Sequence, residues 1–246
     1  MEIPSEVKRF REELEKTCCT ANEIKFVPCD TKPWESKLGG CPYLETLENY
    51  PTDENGNAMM FLAQINLEEM PPLEGFPTKG ILQFYIEDSE DYGYESPCKV
   101  ICIENYTKNE TILVKENPYA EKYAEYLPFE KTGKAEFVQK QMFISSTLDL
   151  FYDISSEATK EEETILEELC DASGSRMGGY PMFVQNIPEC YEDGTADILL
   201  LQLDVDDEED GCGIMFGDLG NCQFMIAKED LAKRDFSNVQ YDWACC

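Results

Sequence analysis

Residues 36–44 read Ser-Lys-Leu-Gly-Gly-Cys-Pro-Tyr-Leu, and residues 175–183 read Ser-Arg-Met-Gly-Gly-Tyr-Pro-Met-Phe. The two stretches lie 139 residues apart, and they are not alone. Phe-Leu-Ala-Gln-Ile-Asn-Leu at 61–67 recurs as Leu-Leu-Leu-Gln-Leu-Asp-Val at 199–205, an offset of 138. Gly-Ile-Leu-Gln-Phe-Tyr-Ile at 80–86 recurs as Gly-Asn-Cys-Gln-Phe-Met-Ile at 220–226, an offset of 140. Three matches in one order, at nearly one spacing, are the mark of an internal duplication. The expected organisation is a single domain over 1–246. Copy one spans about 30–105, copy two about 170–235, and a non-repeated segment of about 106–169 separates them.

Each block has a local physical reading. The pairs Gly39-Gly40 and Gly178-Gly179, set just ahead of a proline, suit a backbone that needs positive φ or a close approach. The second and third blocks are short apolar runs bounded by turn residues, the pattern of buried strands. Alternation in the second block puts Phe61, Ala63, Ile65 and Leu67 on one face, and Leu62, Gln64 and Asn66 on the other. Its counterpart opposes Leu199, Leu201, Leu203 and Val205 to Leu200, Gln202 and Asp204. Gln64 with Asn66, and Gln202 with Asp204, are thus matched polar pairs in apolar strands, and Gln83 and Gln223 repeat the device. A buried amide needs partners. The binding-site expectation is that the two copies pack about a pseudo-twofold axis with these side chains lining a shared groove.

Outside the copies, Val7, Phe10, Leu14 and Cys18 fall at helical spacing, predicting an N-terminal amphipathic helix over 4–18. Ile165, Leu166, Leu169 and Cys170 predict another over 159–171, and a short one is expected over 119–126. Segments 98–104, 111–115 and 136–145 read as strands. The fold class is therefore α+β, with a strand-dominated antiparallel core and peripheral helices.

Composition narrows the chemistry. The 246 residues include 51 acidic and 20 basic side chains, a net charge of −31, and no histidine. Catalytic triads, Cys-His pairs and His-based zinc sites are therefore excluded. Clusters such as Glu161-Glu162-Glu163 and Asp206-Asp207-Glu208-Glu209-Asp210 repel phosphate backbones and anionic membranes and attract cations. Neither nucleic acid nor membrane is an expected partner. Asp204, Asp206, Glu208 and Asp210 alternate like the start of a calcium loop. The required glycine and glutamate are absent, however, so they remain weak candidates for calcium or magnesium and no cofactor is expected. Asp218, within Phe-Gly-Asp-Leu-Gly at 216–220, reads as a turn residue or a ligand contact. Trp34 reads as a core plug. The first ten residues lack an apolar signal stretch and no run could span a bilayer, so a cytoplasmic location with the twelve cysteines reduced is expected.

Taken together, the Gly-Gly-x-Pro blocks, the Gln-x-Asn/Asp strands, Gly75 to Phe84, Gln185 after the second glycine pair, and Gly217-Asp218 resemble the YwqG-like family of uncharacterised, mainly bacterial proteins. The resemblance implies a duplicated, β-rich α+β fold and a cytoplasmic location. It carries no established activity, so it transfers no catalytic residues. The segment after Asp218 departs from it in being more polar. The ligand-binding candidates are Gln64, Asn66, Gln202, Asp204, Gly39, Gly40, Gly178, Gly179, Gln185 and Asp218. The expected function is a non-catalytic binding module for a basic protein or a small polar ligand. The alternative is a histidine-independent enzyme built on carboxylates, such as a hydrolase assisted by a divalent metal.

Overall fold

The computed structural model describes residues 2–123, 125–206 and 209–246. Ten strands form one antiparallel sheet: β1 (Cys19–Pro28), β2 (Lys37–Leu38), β3 (Met60–Asn66), β4 (Ile81–Ile86), β5 (Lys99–Ile103), β6 (Gly133–Met142), β7 (Arg176–Gly178), β8 (Ile198–Leu203), β9 (Asn221–Ile226) and β10 (Gln240–Ala244). Their order is β10-β9-β8-β7-β1-β6-β2-β3-β4-β5. Exchanging β1–β5 for β6–β10 leaves that order unchanged. The central pair obeys the same exchange, since β1 and β6 run antiparallel from Cys19↔Met142 to Pro28↔Gly133. Each leading strand is built into the other half: β1 pairs with β7, and β6 with β2.

The sheet curls. Phe84 of β4 and Phe224 of β9 have six strands between them in sheet order, yet their rings sit 5.0 Å apart, edge to face. The accumulated twist of a wide antiparallel sheet makes such closure possible. The edges are drawn together as well. Tyr241 of β10 donates its hydroxyl to the Tyr92 carbonyl (2.9 Å), and the Tyr92 and Trp243 rings meet at 5.1 Å. One large apolar cluster fills the inner face from both halves, including Leu82, Phe84, Leu201, Leu203 and Phe224.

The outer face is covered differently at the two ends. Over the second half lie helices α1 (Arg11–Thr17), α3 (Asp149–Ser155) and α4 (Lys160–Leu169), whose Leu14, Phe151 and Leu166 share a cluster with Met225. Over the first half lie loops, with Tyr43, Leu113 and Trp34 packed on Ile81. Trp34 is thus part of the packing. The short helices α2 (Ala120–Tyr123), α5 (Glu189–Glu192) and α6 (Lys228–Lys233) complete the described α-helices.

Several expectations need correction. The N-terminal helix is a 3-10 turn over Ser5–Phe10 followed by α1, bent at Val7, and Cys18 is exposed rather than on its buried face. Segment 111–115 is no strand. The Asn109 side chain accepts the Thr111 N–H and closes a 3-10 turn over Glu110–Ile112, since a short polar side chain competes well for backbone donors. The helix over 159–171 forms as α4, closed by a Thr159/Glu162 capping box. Segment 106–169 contains β6, the counterpart of β1 in the strand order. A β-bulge between Phe61 and Ala63 shifts the alternation, so Phe61 stands opposite Tyr85 and Ala63 opposite Phe84. Its counterpart lies between Leu199 and Leu201.

Candidate functional site

Gln64 and Gln83 face each other on β3 and β4, as Gln202 and Gln223 do on β8 and β9. Because Gln83 adjoins Phe84 along the strand, it points away from the face where the halves meet. The four amides therefore stand on the outer face, each pair under its own loop. All four are at most 1 % exposed, so their hydrogen bonds must be internal.

The bonds to the loops match. Gln64 Oε1 accepts the Tyr43 N–H at 2.8 Å, and Gln202 Oε1 accepts the Met182 N–H at 2.9 Å. Gln64 Nε2 donates to the Pro33 and Glu35 carbonyls at 2.7 and 2.8 Å; Gln202 Nε2 donates to those of Ala172 and Gly174 at 3.0 and 2.9 Å. Gln83 Nε2 reaches the Tyr43 carbonyl at 2.9 Å, and Gln223 Nε2 the Met182 carbonyl at 2.8 Å. The Ser36 and Ser175 hydroxyls accept the Asn66 and Asp204 N–H groups at 2.9 and 3.0 Å. These are two separate nets, each clamping the Gly-Gly-x-Pro loop of its own half. No bond joins them among the described residues, so the shared amide-lined groove is corrected. The glycines serve the same loops: Gly39, Gly40, Gly178 and Gly179 have φ of 62°, 75°, 67° and 70°.

Each net also encloses a cation. Lys37 is 2 % exposed and Arg176 3 %. Lys37 Nζ donates to the Cys41 carbonyl at 3.2 Å, and Arg176 donates to the Ser173 carbonyl. Burial pushes the Lys37 ammonium down to about 8, with Cys41, Glu35 and Glu69 pulling the other way. Burial lowers Arg176 too, against Glu23, Asp171 and Asp204.

The remaining candidates are dispersed. Asn66 Nδ2 bonds the Trp34 carbonyl at 2.9 Å, and Asp204 accepts the Gly174 N–H at 2.6 Å. Gln185 bonds the Cys245 carbonyl, and Asp218 is an exposed residue of the turn closed by the Gly220 N–H to Phe216 bond. Asp206 accepts the Cys212 and Ile214 N–H groups at 2.8 and 2.5 Å and so orders its loop. Asp204, Asp206 and Asp210 line a hollow of about 280 Å³, from which Asp218 is absent. Glu208 lies outside the described residues, among which no group of three Cys, Asp or Glu is placed to hold a metal.

A larger cavity lies elsewhere, with a volume of about 820 Å³. It runs along β5 from Cys98 to Cys102 and is closed on the other side by Arg234, Phe236 and Ser237, beyond α6. Both halves contribute, so it is a cleft at the seam. Burial pushes the Cys98 thiol up to about 12 and raises Cys102, so neither is a ready nucleophile. Asp53, Glu54, Glu87 and Glu95 line the cleft against Lys99 and Arg234. Lys99 is held by the Thr52 carbonyl, and Arg234 pairs with Glu104 at 3.3 Å. Asp53 is bonded to Asn55 and Asn57, and Glu87 to Ser96. Glu54 and Glu95 are exposed and make no hydrogen bond or ion pair among the described residues. No motif marked these residues, because the cleft is made by curl and not by any local pattern.

The fold and site define a strand-rich α+β protein with two matched loop clamps and one acidic seam cleft. Residues 36–245 match a family described as a domain of unknown function (DUF1963), and the chain belongs to that family. No curated protein matches the chain. No helix among the described residues is long and apolar enough to cross a membrane.

Proposed function

We propose that this chain is a non-catalytic, cytoplasmic binding module that takes a basic partner at the seam cleft. The observation that carries this reading is the pair Glu54 and Glu95, unpaired carboxylates at the rim of a large cavity. The buried amides and cations of the two loop nets already have internal partners. Electrostatic attraction would speed association and weaken with salt. A carboxylate-based enzyme has less support, because Asp204 and Asp218 do not share a cavity.

We also propose that the two halves descend from one duplicated unit, with the YwqG-like proteins as relatives. The unit would begin at β1 and β6, ahead of the three matching blocks. The invariant strand order, the paired bulges and the twin amide nets support that descent.

An NMR titration with spermine at low ionic strength tests the binding reading. The expected result is a set of shift changes at 95–102 and 234–237 that reverses near ~0.5 M salt. Changes confined to residues 204–206 and 209–211, or none, would remove the cleft from consideration.

A further inference from the structure

β5 ends the sheet. On one side it pairs with β4 from Tyr85↔Lys99 to Ile81↔Ile103; on the other, among the described residues, its backbone bonds to nothing. In an antiparallel strand alternate residues turn their N–H and C=O groups to the free side, so this edge offers a row of unmet donors and acceptors. Edges are commonly guarded by lysine or proline. Here Pro97 precedes the strand, and Lys99 is turned aside onto the Thr52 carbonyl. The strand that carries this free edge lines the 820 Å³ cleft from Lys99 to Cys102, and Phe236 lines the same cleft. Val100, level with Phe84, supplies an apolar surface toward the inner face.

We propose that an extended cationic peptide, alternating basic and apolar residues, adds to the sheet alongside β5 within the seam cleft. The inference rests on the cleft being a site for basic partners and specifies how one is held. Backbone pairing to β5 supplies register. Apolar side chains pack toward Val100 and Phe236, and basic ones meet Glu54 and Glu95. A strand, unlike a helix, matches both the free edge and the length of the cleft along it.

The test uses the full chain and the peptide acetyl-Lys-Val-Lys-Val-Lys-Val-Lys-amide. Two analogues carry N-methyl groups on either the valines or the lysines, each set blocking one edge of the strand at unchanged charge. Strand addition predicts at least a tenfold loss of affinity for one analogue, and a loss of roughly tenfold for the parent peptide on the Glu54→Gln/Glu95→Gln double variant. Equal binding of all three peptides would overturn the inference while leaving an acidic cleft. Spermine binding without peptide binding would overturn it in the same way. Failure of both probes would overturn the inference and the binding reading together.

Discussion

The two amide nets make the same bonds to their loops but differ in the others, with Tyr85 donating to Gln83 in one and Gln223 donating to Asn221 in the other. In the first half the Gln64–Gln83 net lies under loops and encloses a lysine. In the second, the Gln202–Gln223 net encloses an arginine in a half whose outer face carries helices. What the halves share is therefore what the loop requires: a glutamine acceptor for the Tyr43 or Met182 N–H, and two glutamine donors for the loop carbonyls. What they do not share is what covers them. The comparison teaches that the glutamines hold the backbone, and that the halves diverge in what surrounds and covers it.

The largest effect expected follows from deleting a net's hub. Gln64→Leu leaves the Tyr43 N–H and the Pro33 and Glu35 carbonyls without their partner, and Gln202→Leu does the same at Met182, Ala172 and Gly174. Each should lose roughly 3–5 kcal/mol in urea unfolding. A large loss in one half alone would break the equivalence. The glycine pair sharpens it. A Cβ on Gly179 would clash with Met142 Sδ and meet Ala21 Cβ at 2.7 Å, whereas one on Gly40 meets only Thr132 Cγ2 at 3.9 Å. Both positions have positive φ, so Gly179→Ala should cost about 3 kcal/mol and Gly40→Ala about 1, read as shifts in melting temperature.

The enclosed cations give the smallest and most specific contrast. The folded chain releases the Lys37 proton near pH 8, whereas the unfolded chain holds it to about 10.5. Between those values the unfolded state binds more protons, so stability rises with pH as the buried charge is relieved. The stability of the wild type relative to Lys37→Met should increase across that window by on the order of 2 kcal/mol. Buried thiols and phenols remote from Lys37 titrate in both proteins and cancel in the difference, whereas the Cys41 thiol, which interacts with the Lys37 charge, is removed from both by Cys41→Ala. Arg176 keeps its charge there, so the same comparison with Arg176→Met should be flat.

Much of the sheet was legible. β3, β4, β8 and β9 are apolar runs between turn residues, and burial makes such runs strands whatever surrounds them. β1 was not legible: Asn22, Glu23 and Lys25 interrupt it, and only its pairing on both sides makes it central. β10 is short and carries Asp242, and its strand character comes from β9 alone. For the site, the matched amides were visible as a pattern, but alternation tells which residues share a face and not which face meets a partner. That is decided by the curl bringing Phe84 to Phe224, a contact across 140 residues of sequence. The seam cleft is likewise the product of connectors that no repeat or periodicity marks.

The central claim is that the glutamines of both halves clamp their own loops. Native-state hydrogen exchange of the Tyr43 and Met182 amides tests it most directly, since each N–H is held by a buried glutamine oxygen. Both should exchange only through global unfolding, with protection equal to that of strands β3 and β8. Exchange of either amide at the rate of an open surface loop would contradict the account.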